Sequence, residues 1–295
     1  MNLAGVFPAI VTPFDERERV DEGMLCGLLG FLGSAGVQGV FAMGGTGEGV
    51  LMRTAERKRA AEIILRHRPA GLGVIVHVGA LSTEEACELA EHAASVGADV
   101  VAALPHFYFP IRDSDLIGFY RDVASAPGVP VIGYHIPVHT HVQLSADLME
   151  RMADIENLIG LKFSDSDLFL MRNILDIGPG RYRILSGYDE MFVPALSIGA
   201  QGGVGTSFNF MPKAYVRIYD AMQRGDLATA RELQIRANRV IRAMEPFPSI
   251  PASKAIMGFL GVPCGRCRRP LGRLSGEELR ALREAVEEAE LFDLQ

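Results

Sequence analysis

The chain has 295 residues, of which 48% are hydrophobic, so it is long and apolar enough to bury a large core. Its formal net charge of −7 argues against a nucleic-acid partner, because phosphate binding needs a basic face. The sequence lacks both the apolar run of a membrane helix and the N-terminal pattern of a signal peptide, so we expect a cytoplasmic protein without a membrane partner.

Short apolar segments alternate with longer amphipathic ones over the first three quarters of the chain. The predicted strands are Val6–Val11, Val37–Met43, Gly73–Val78, Asp99–Leu104, Val129–Tyr134, Leu158–Phe163, Tyr182–Ser186 and Gly203–Thr206. The predicted helices are Asp21–Ser34, Thr54–Arg68, Thr83–Val96, Asp113–Ala126, Ser145–Ala153, Leu168–Asp176, Asp189–Ile198 and Pro212–Arg224. The strands are continuously apolar, which is typical of parallel strands covered on both faces.

Eight strand–helix pairs in this order predict an α/β protein with a (β/α)8 TIM barrel. A doubly wound open sheet is the alternative, but it usually has a glycine-rich phosphate loop after its first strand. Here that strand is followed by Thr12-Pro13-Phe14, which is not such a loop.

Three further helices, Asp226–Met244, Pro251–Gly261 and Ser275–Leu291, are predicted after the last strand. We therefore expect a catalytic barrel domain over 1–224 and a C-terminal helical domain over 225–295. The region between the last two helices contains one CxxC motif, Cys264 to Cys267. A structural zinc site needs four ligands and there is no second pair, so we expect reduced cysteines and no metal or other cofactor.

Catalytic groups of such barrels lie where strands end and loops begin. The second strand is followed by Gly44-Gly45-Thr46-Gly47-Glu48-Gly49. Glycines let backbone amides turn toward an anion, and Thr46 adds a hydroxyl donor, so Gly45 and Thr46 suit a carboxylate. A tight turn without a ligand is the alternative interpretation.

Lys162 is one of four lysines in the chain, and it lies near the end of an apolar strand. Burial disfavours the charged form of an amine, and a neutral amine can attack a ketone to form a Schiff base. The alternative is a lysine whose stem packs while its ammonium reaches water. Tyr134 ends the preceding strand and is a candidate acid or base, or else a buried structural tyrosine.

The later strand ends carry hydroxyls, acids and glycines that fit a polyhydroxylated ligand. These candidate substrate-binding residues are Ser164, Gly187, Asp189, Glu190 and Thr206. Asp189 has the alternative role of capping the following helix. The aromatic segment around Tyr108 fits a pocket wall, a subunit contact or plain packing.

Three histidines after the fifth strand, His135, His139 and His141, allow a different hypothesis. They could hold a metal for a metal-dependent aldolase or hydrolase. The intervening proline and β-branched residues do not place them on one helical face. We therefore favour a site without a metal.

Four motifs together resemble the N-acetylneuraminate lyase and dihydrodipicolinate synthase family of pyruvate-dependent class I aldolases. The motifs are GGTGE at 44–48, YHIP at 134–137, GLKFSDSDL at 160–168 and GYDE at 187–190. The resemblance extends from Phe7 to Leu271. It implies a (β/α)8 barrel with C-terminal helices, assembled as a homotetramer, that acts on a small-molecule 2-oxo acid.

The resemblance also implies a role for each candidate residue. Lys162 would form the Schiff base with the pyruvate portion, and Tyr134 would donate and accept protons. Gly45 and Thr46 would hold the pyruvate carboxylate, although family members mostly carry Ser or Thr where Gly45 stands. Tyr108 aligns with an aromatic residue that in some members reaches a neighbouring subunit's site.

The motifs YHIP, GLKFSD and GYDE indicate the N-acetylneuraminate lyase branch, in which Ser164, Gly187, Asp189, Glu190 and Thr206 would contact the sugar tail. The expected reaction is carbon–carbon cleavage of N-acetylneuraminate to N-acetylmannosamine and pyruvate. The synthases carry an arginine where this chain has His139, which argues against a 4-hydroxy-tetrahydrodipicolinate synthase. Two different functions also fit these residues: a 2-keto-3-deoxy sugar acid aldolase or dehydratase, and a non-catalytic 2-oxo acid sensor.

Overall fold

The computed structural model describes residues 2–178 and 180–295, which form a barrel of eight parallel strands with helices outside it. The strands are β1 (Gly5–Pro8), β2 (Gly39–Ala42), β3 (Gly73–His77), β4 (Val100–Ala103), β5 (Val131–His135), β6 (Leu158–Phe163), β7 (Arg183–Ser186) and β8 (Gly202–Gly205). Neighbouring strands are consecutive, β1 also pairs with β8, and a bridge between Ala9 and Phe41 joins β1 to β2. The predicted TIM barrel is confirmed.

Twelve helices surround and extend the barrel in the described part of the chain. They are α1 (Glu22–Ser34), α2 (Thr54–His67), α3 (Thr83–Ser95), α4 (Asp113–Ser125), α5 (Pro137–Thr140), α6 (Ala146–Arg151), α7 (Leu168–Leu175), α8 (Phe192–Ser197), α9 (Pro212–Gln223), α10 (Leu227–Met244), α11 (Ser249–Phe259) and α12 (Gly276–Glu288). The side chains of Asp21, Ser82 and Ser145 cap α1, α3 and α6 by accepting from backbone amides in the first turn. No helix within the described ranges is long and apolar enough to cross a membrane.

Two apolar cores fix the barrel. The inner core is filled by side chains that point to the barrel axis, among them Phe7, Phe41, Ile75, Ile132 and Leu185. The outer core lies between the strands and the helices, as expected when both faces of a parallel sheet are covered. Side chains therefore alternate between the two cores along each strand, and those at the carboxyl ends face the barrel mouth.

The C-terminal helices pack against the end of the barrel rather than standing apart from it. Helix α10 lies along α9 and α12, and α11 carries the buried Lys254. The Lys254 Nζ donates to the carbonyls of Thr12 and Arg266, each at 2.7 Å. It also lies 2.6 Å from Oε1 of the buried Glu48, in the loop after β2. A buried ion pair thus joins the C-terminal helices to the barrel mouth.

The CxxC motif lies in the connection between α11 and α12. Cys264 and Cys267 are both buried and unpaired. Burial raises the pKa of the Cys264 thiol to about 12 and that of the Cys267 thiol to about 11. Because the thiolate is the reactive form, these cysteines are held in their unreactive state at neutral pH.

Candidate active site

Lys162 and Tyr134 face each other inside the barrel mouth. They are register partners on the neighbouring strands β6 and β5, and each is 5% exposed. The Lys162 Nζ donates to the Tyr134 hydroxyl at 2.8 Å. It also lies 4.0 Å from the centroid of the Tyr134 ring and 4.8 Å from that of Phe41. The amine is therefore buried with a phenol partner, which contradicts the alternative of an ammonium in water.

His77 on β3 completes the wall behind this pair, and the sequence did not identify it. Its ring is edge-on to Tyr134, with centroids 5.8 Å apart, and its Nδ1 lies 3.2 Å from the carbonyl of Met43. Burial, with the positive charges of Arg57 and Lys162, holds the pKa of His77 well below its usual range. Because a carbonyl oxygen can only accept a hydrogen bond, the neutral imidazole of His77 carries its proton on Nδ1 and donates it to the carbonyl of Met43, just before the glycine-rich loop.

The glycine-rich loop from Gly44 to Gly49 is tightly folded. Met43 and Glu48 have φ angles of 59° and 57°. Positive φ is unfavourable for residues other than glycine, so the surrounding structure must hold these two residues in place. Gly49 is required, because a Cβ there would lie 1.9 Å from the carbonyl oxygen of Met43. The Glu48 Oε2 accepts from the backbone amide of Arg268 at 2.6 Å.

Thr46 turns its hydroxyl to the opposite side of the mouth. Its Oγ1 lies 2.6 Å from Oγ1 of Thr206, which follows β8. Gly45 is different, because no described atom lies within 4 Å of the point where its Cβ would stand. The structure thus brings Thr46 and Thr206 together and leaves Gly45 exposed.

Asp189 is buried after β7, and its carboxylate is held from across the site. Its Oδ2 accepts from the backbone amide and the hydroxyl of Ser207, both at 2.6 Å. The Ser207 hydroxyl is also hydrogen-bonded to the Tyr215 hydroxyl at 2.9 Å. Burial raises the pKa of Asp189 to about 6, against the opposing effect of the Ser207 hydrogen bonds. Asp189 does not take the alternative role of capping the following helix, because its carboxylate is bound by Ser207. No sequence pattern pointed to Ser207 or Tyr215.

Ser164 and Gly187 meet beside the lysine strand. The Ser164 hydroxyl is buried and has no hydrogen-bond partner among the described residues. It lies against Gly187, where a Cβ would be only 1.8 Å from the Ser164 Oγ. This close approach explains why the GYDE motif begins with glycine at this position.

A cavity of about 330 Å³ opens next to Asp189 and contains four of the predicted residues. Gly187, Asp189, Glu190 and Thr206 contribute to its wall. The remainder comes from Ser207, Phe210 and the C-terminal helices, including Glu245. No sequence signal pointed to Glu245, because it lies at the end of a surface helix far along the chain.

Tyr108 lies away from these groups in the described chain. It is 74% exposed, and its ring packs edge-on against Phe109 with centroids 5.0 Å apart. No hydrogen bond in the described residues connects it to Tyr134 or Lys162.

The three histidines do not converge. His135 is buried, and its Nε2 lies 3.2 Å from Asp165 Oδ2. Burial lowers the pKa of His135 despite this carboxylate. His139 and His141 are exposed. Over residues 2–178 and 180–295 there is no group of three His, Cys, Asp or Glu side chains that could hold a metal.

The site therefore combines a buried amine, a phenol in contact with it, a loop of backbone amides and hydroxyls, and a cavity with acids beyond. An amine in this setting can condense with a ketone, and the phenol can transfer a proton to or from a nearby hydroxyl. The loop can bind a carboxylate through its amides.

Comparisons with known proteins agree with this arrangement. The model of the dihydrodipicolinate synthetase family matches residues 2–289. The N-acetylneuraminate lyase of Rhizobium meliloti (strain 1021) is 35% identical over 286 residues, covering 97% of this chain and 95% of the relative. The N-acetylneuraminate lyase of Citrobacter koseri is 33% identical over 290 residues, covering 97% of each.

Two solved structures show the same fold. A catalytic lysine mutant of the Ruminococcus gnavus sialic acid aldolase superposes with a TM-score of 0.95 at 28% identity, covering 99% of this chain and 98% of the other. A prophage protein of the dihydrodipicolinic acid synthase family from E. coli K12, in complex with pyruvate, superposes with a TM-score of 0.94 at 25% identity. That alignment covers 99% of this chain and 100% of the other.

Proposed function

Because the chain belongs to the dihydrodipicolinate synthetase family and is a carbon–carbon lyase of the class I pyruvate aldolases, we propose that it cleaves a 2-oxo sugar acid to pyruvate and an aldehyde. The proposed substrate is N-acetylneuraminate, and the aldehyde is N-acetylmannosamine. The observation that carries the proposal is the 2.8 Å hydrogen bond between the buried Lys162 amine and the Tyr134 hydroxyl. The names of the relatives support the choice of substrate.

The proposed reaction begins at Lys162. Its neutral amine adds to the C2 ketone and water leaves, which gives a protonated imine. The adjacent Tyr134 hydroxyl supplies the one proton that this step consumes and recovers it when the imine is hydrolysed. The imine is an electron sink, so it lowers the barrier to breaking the C3–C4 bond. Tyr134 removes the proton of the C4 hydroxyl, directly or through the substrate carboxylate. The electron pair of the C3–C4 bond then moves toward the imine, which leaves an enamine and releases the aldehyde.

The return to free enzyme uses the same two residues. Tyr134 is adjacent to the amine and is the source of the proton that the enamine takes at C3. Water then hydrolyses the imine, which releases pyruvate and restores the Lys162 amine. The cycle has no net oxidation or reduction, so the reaction requires no redox partner.

Substrate binding divides into two parts in this proposal. The amides of the loop at Gly45 and the hydroxyl of Thr46 bind the carboxylate of the pyruvate portion. Asp189, Glu190 and Thr206 border the cavity that receives the hydroxylated tail. The unpartnered Ser164 hydroxyl and the backbone of Gly187 lie between these two parts and supply further hydrogen bonds.

A 2-keto-3-deoxy sugar acid aldolase is the second candidate. The specific observation in its favour is that Asp189 and Glu190 offer carboxylates, which accept hydrogen bonds from any polyol tail. Pyruvate release from N-acetylneuraminate, 2-keto-3-deoxygluconate and 4-hydroxy-2-oxoglutarate, compared by kcat/KM, decides between the two. We expect N-acetylneuraminate to be the best of the three, and a preference for 2-keto-3-deoxygluconate would establish the second candidate.

Borohydride reduction in the presence of pyruvate tests the Schiff base. We expect one pyruvate-derived adduct per chain, mapped by peptide mass spectrometry to Lys162. Lys254 is an internal control, because it is also buried but is occupied by Glu48 and two carbonyls. Lys162→Arg should abolish the adduct. An adduct on Lys58, Lys213 or Lys254, or none at all, would refute the assignment.

A further inference from the structure

The cavity beyond Asp189 is built by two parts of the chain that the site motifs do not connect. Its inner side consists of residues after β7 and β8, including Asp189 and Thr206. Its outer side comes from the end of α10 and the turn that follows. The volume of about 330 Å³ is within the range of small-molecule sites. Thr206 lines this cavity and contacts Thr46 of the carboxylate loop, and the charge of Lys162 acts on Asp189, so the cavity adjoins the Lys162 site.

The charged side chains of this cavity all have the same sign. Asp189, Glu190 and Glu245 line it, and none of the described lining residues is a lysine or an arginine. No cationic side chain in the described cavity wall offsets the charge of Glu190 or Glu245. Both are exposed, so their carboxylates stand at the entrance, while Asp189 lies deeper. A ligand that enters therefore meets uncompensated negative charge.

Apolar side chains make up most of the rest of the outer wall. Met244 is buried, and Ile241 and Phe247 are half-buried at the same surface. These side chains can accept a methyl or methylene group of a ligand, but they offer no hydrogen bond to a charged one. The hydroxyls of Thr206, Ser207 and Ser249 also line the cavity, so the carboxylates are its only charged groups among the described lining residues but not its only polar ones.

We propose that Glu245, together with Glu190, determines substrate specificity by charge. The site accepts aldehydes that are neutral or cationic and rejects aldehydes that carry a carboxylate at the far end. Glu245 is a specificity-determining residue in this proposal, and it belongs to the C-terminal helices rather than to the barrel. The inference rests on the proposed function, because it assumes that the far end of an aldolase substrate occupies this cavity.

The test compares three aldehydes of similar size in the condensation direction with pyruvate: mannose, 6-amino-6-deoxymannose and mannuronate, which differ only at the carbon farthest from the aldehyde. We expect kcat/KM for 6-amino-6-deoxymannose to equal or exceed that for mannose, and that for mannuronate to be lower by about ten-fold or more at low salt. The penalty should shrink at about 0.5 M salt, because exposed charges are screened. Glu245→Gln should reduce the penalty roughly three-fold, and Glu245→Lys should reduce it further.

Glu232→Gln is the matched control, because Glu232 is an exposed glutamate on the same helix outside the cavity. This variant should leave the ratio of kcat/KM for mannose to kcat/KM for mannuronate unchanged. Equal use of mannose and mannuronate by the wild type, or an unchanged ratio in Glu245→Gln, would overturn the proposal.

Binding of the same three sugars, followed by saturation-transfer NMR, provides a readout that does not need turnover. If pyruvate forms no adduct with Lys162, the proposed function has failed. The order in which the three sugars bind, measured by NMR, and the change of that order in Glu245→Gln then still decide whether the cavity selects by charge.

Discussion

At the scale of single residues, the chemistry depends on how few polar partners the Lys162 amine has. The Tyr134 hydroxyl is its one hydrogen-bond partner among the described side chains, and the aromatic rings of Phe41 and Tyr134 enclose the rest. An amine surrounded in this way interacts little with water. The phenol is therefore both the group that orients the amine and the nearest group that can exchange a proton with a bound substrate.

Tyr134→Phe removes the hydroxyl and keeps the ring, so it separates imine formation on Lys162 from the later proton transfers. The ring and its packing are kept, so pyruvate should still be trapped on Lys162 by borohydride. The general acid–base contribution is lost, and we expect kcat to fall by about 10² to 10⁴. Steady-state kinetics and adduct yield, measured on the same preparation, check this. Turnover close to that of the wild type would remove Tyr134 from the mechanism.

The raised pKa of Asp189 leads us to expect that both stability and kcat/KM depend on pH. Its pKa of about 6 lies above the usual carboxyl value of 3.8, so the folded state holds this proton more tightly than the unfolded state. The stabilisation from this proton is complete below pH 3.8 and is lost as the pH rises through about 6. The ionised form is the better acceptor for a substrate hydroxyl, so kcat/KM should fall as the pH drops below about 6.

Ser207→Ala tests whether the Ser207 hydroxyl tunes this carboxylate. It removes one of the two donors to Asp189 Oδ2, so the pKa of Asp189 should rise and the acid limb of the kcat/KM profile should move to higher pH. Ser207→Thr keeps the hydroxyl and should keep the limb in place. A uniform loss of activity at every pH, with no shift of the limb, would contradict this role for Ser207.

The sequence identified Lys162, Tyr134 and Thr46 because each lies at or just beyond the end of an apolar strand, where barrels carry their chemistry. It did not identify His77, Tyr215 or Glu245. His77 is placed by its contact with Met43 and Glu245 shares a cavity with residues after β7, both distant in the chain, while Tyr215 is a helix residue whose hydroxyl meets Ser207. Periodicity shows which side chains are buried, but not which distant group each one meets.

At the scale of elements, the loop after β2 and helix α11 are connected by buried charges. Glu48 and Lys254 are 2.6 Å apart, with side chains 0% and 2% exposed. The Lys254 Nζ also lies 4.7 Å from the ring centroid of Phe14. Because Glu48 belongs to the same short loop as Thr46, α11 helps to fix the loop proposed to bind the substrate carboxylate.

Removing one charge of this pair should lower the free energy of unfolding strongly. Removing both charges should lower it less than the two single changes added together. Lys254→Met leaves a buried carboxylate without a counter-charge, which typically costs about 3–5 kcal/mol. Glu48→Gln combined with Lys254→Met should lose less free energy of unfolding than the two single changes together. Urea unfolding of the wild type, both single variants and the double variant measures the coupling. Strict additivity would show that the pair contributes nothing of its own.

The boundaries of elements were harder to predict than their order. The predicted strand Val6–Val11 is observed only over Gly5–Pro8, because the chain beyond Pro8 makes a single bridge and then turns into a loop. The predicted helix from Asp189 begins with a 3₁₀ turn, Asp189–Met191, before α8. Apolar residues continue past Pro8, so composition alone does not show where the strand stops, and helices often begin with a 3₁₀ turn that composition does not reveal.

At the scale of the whole molecule, several large apolar side chains remain on the surface. Phe169, Tyr108, Phe109 and Val138 are each more than 60% exposed. Apolar side chains gathered on a surface indicate contacts with another molecule, and Tyr108 and Phe109 lie together. We propose that the Tyr108–Phe109 pair lies at a subunit contact of the homotetramer that the resemblance implies.

We therefore expect a particle of about four times the 32.0 kDa chain mass in light scattering after size exclusion. Tyr108→Ser combined with Phe109→Ser should lower that mass or make it depend on concentration. Leu227→Ser is the control, since Leu227 is 50% exposed at the start of α10, away from the aromatic segment. A wild-type particle with the mass of a single chain would contradict the expected assembly.

The vacant space beside Gly45 has a practical consequence. Its φ angle is not in the left-handed region, and a Cβ there would have no atom within 4 Å outside its two chain neighbours. Glycine at this position is therefore not imposed by geometry. The space is open in the direction in which serine, the residue that the family resemblance leads us to expect here, would extend its side chain.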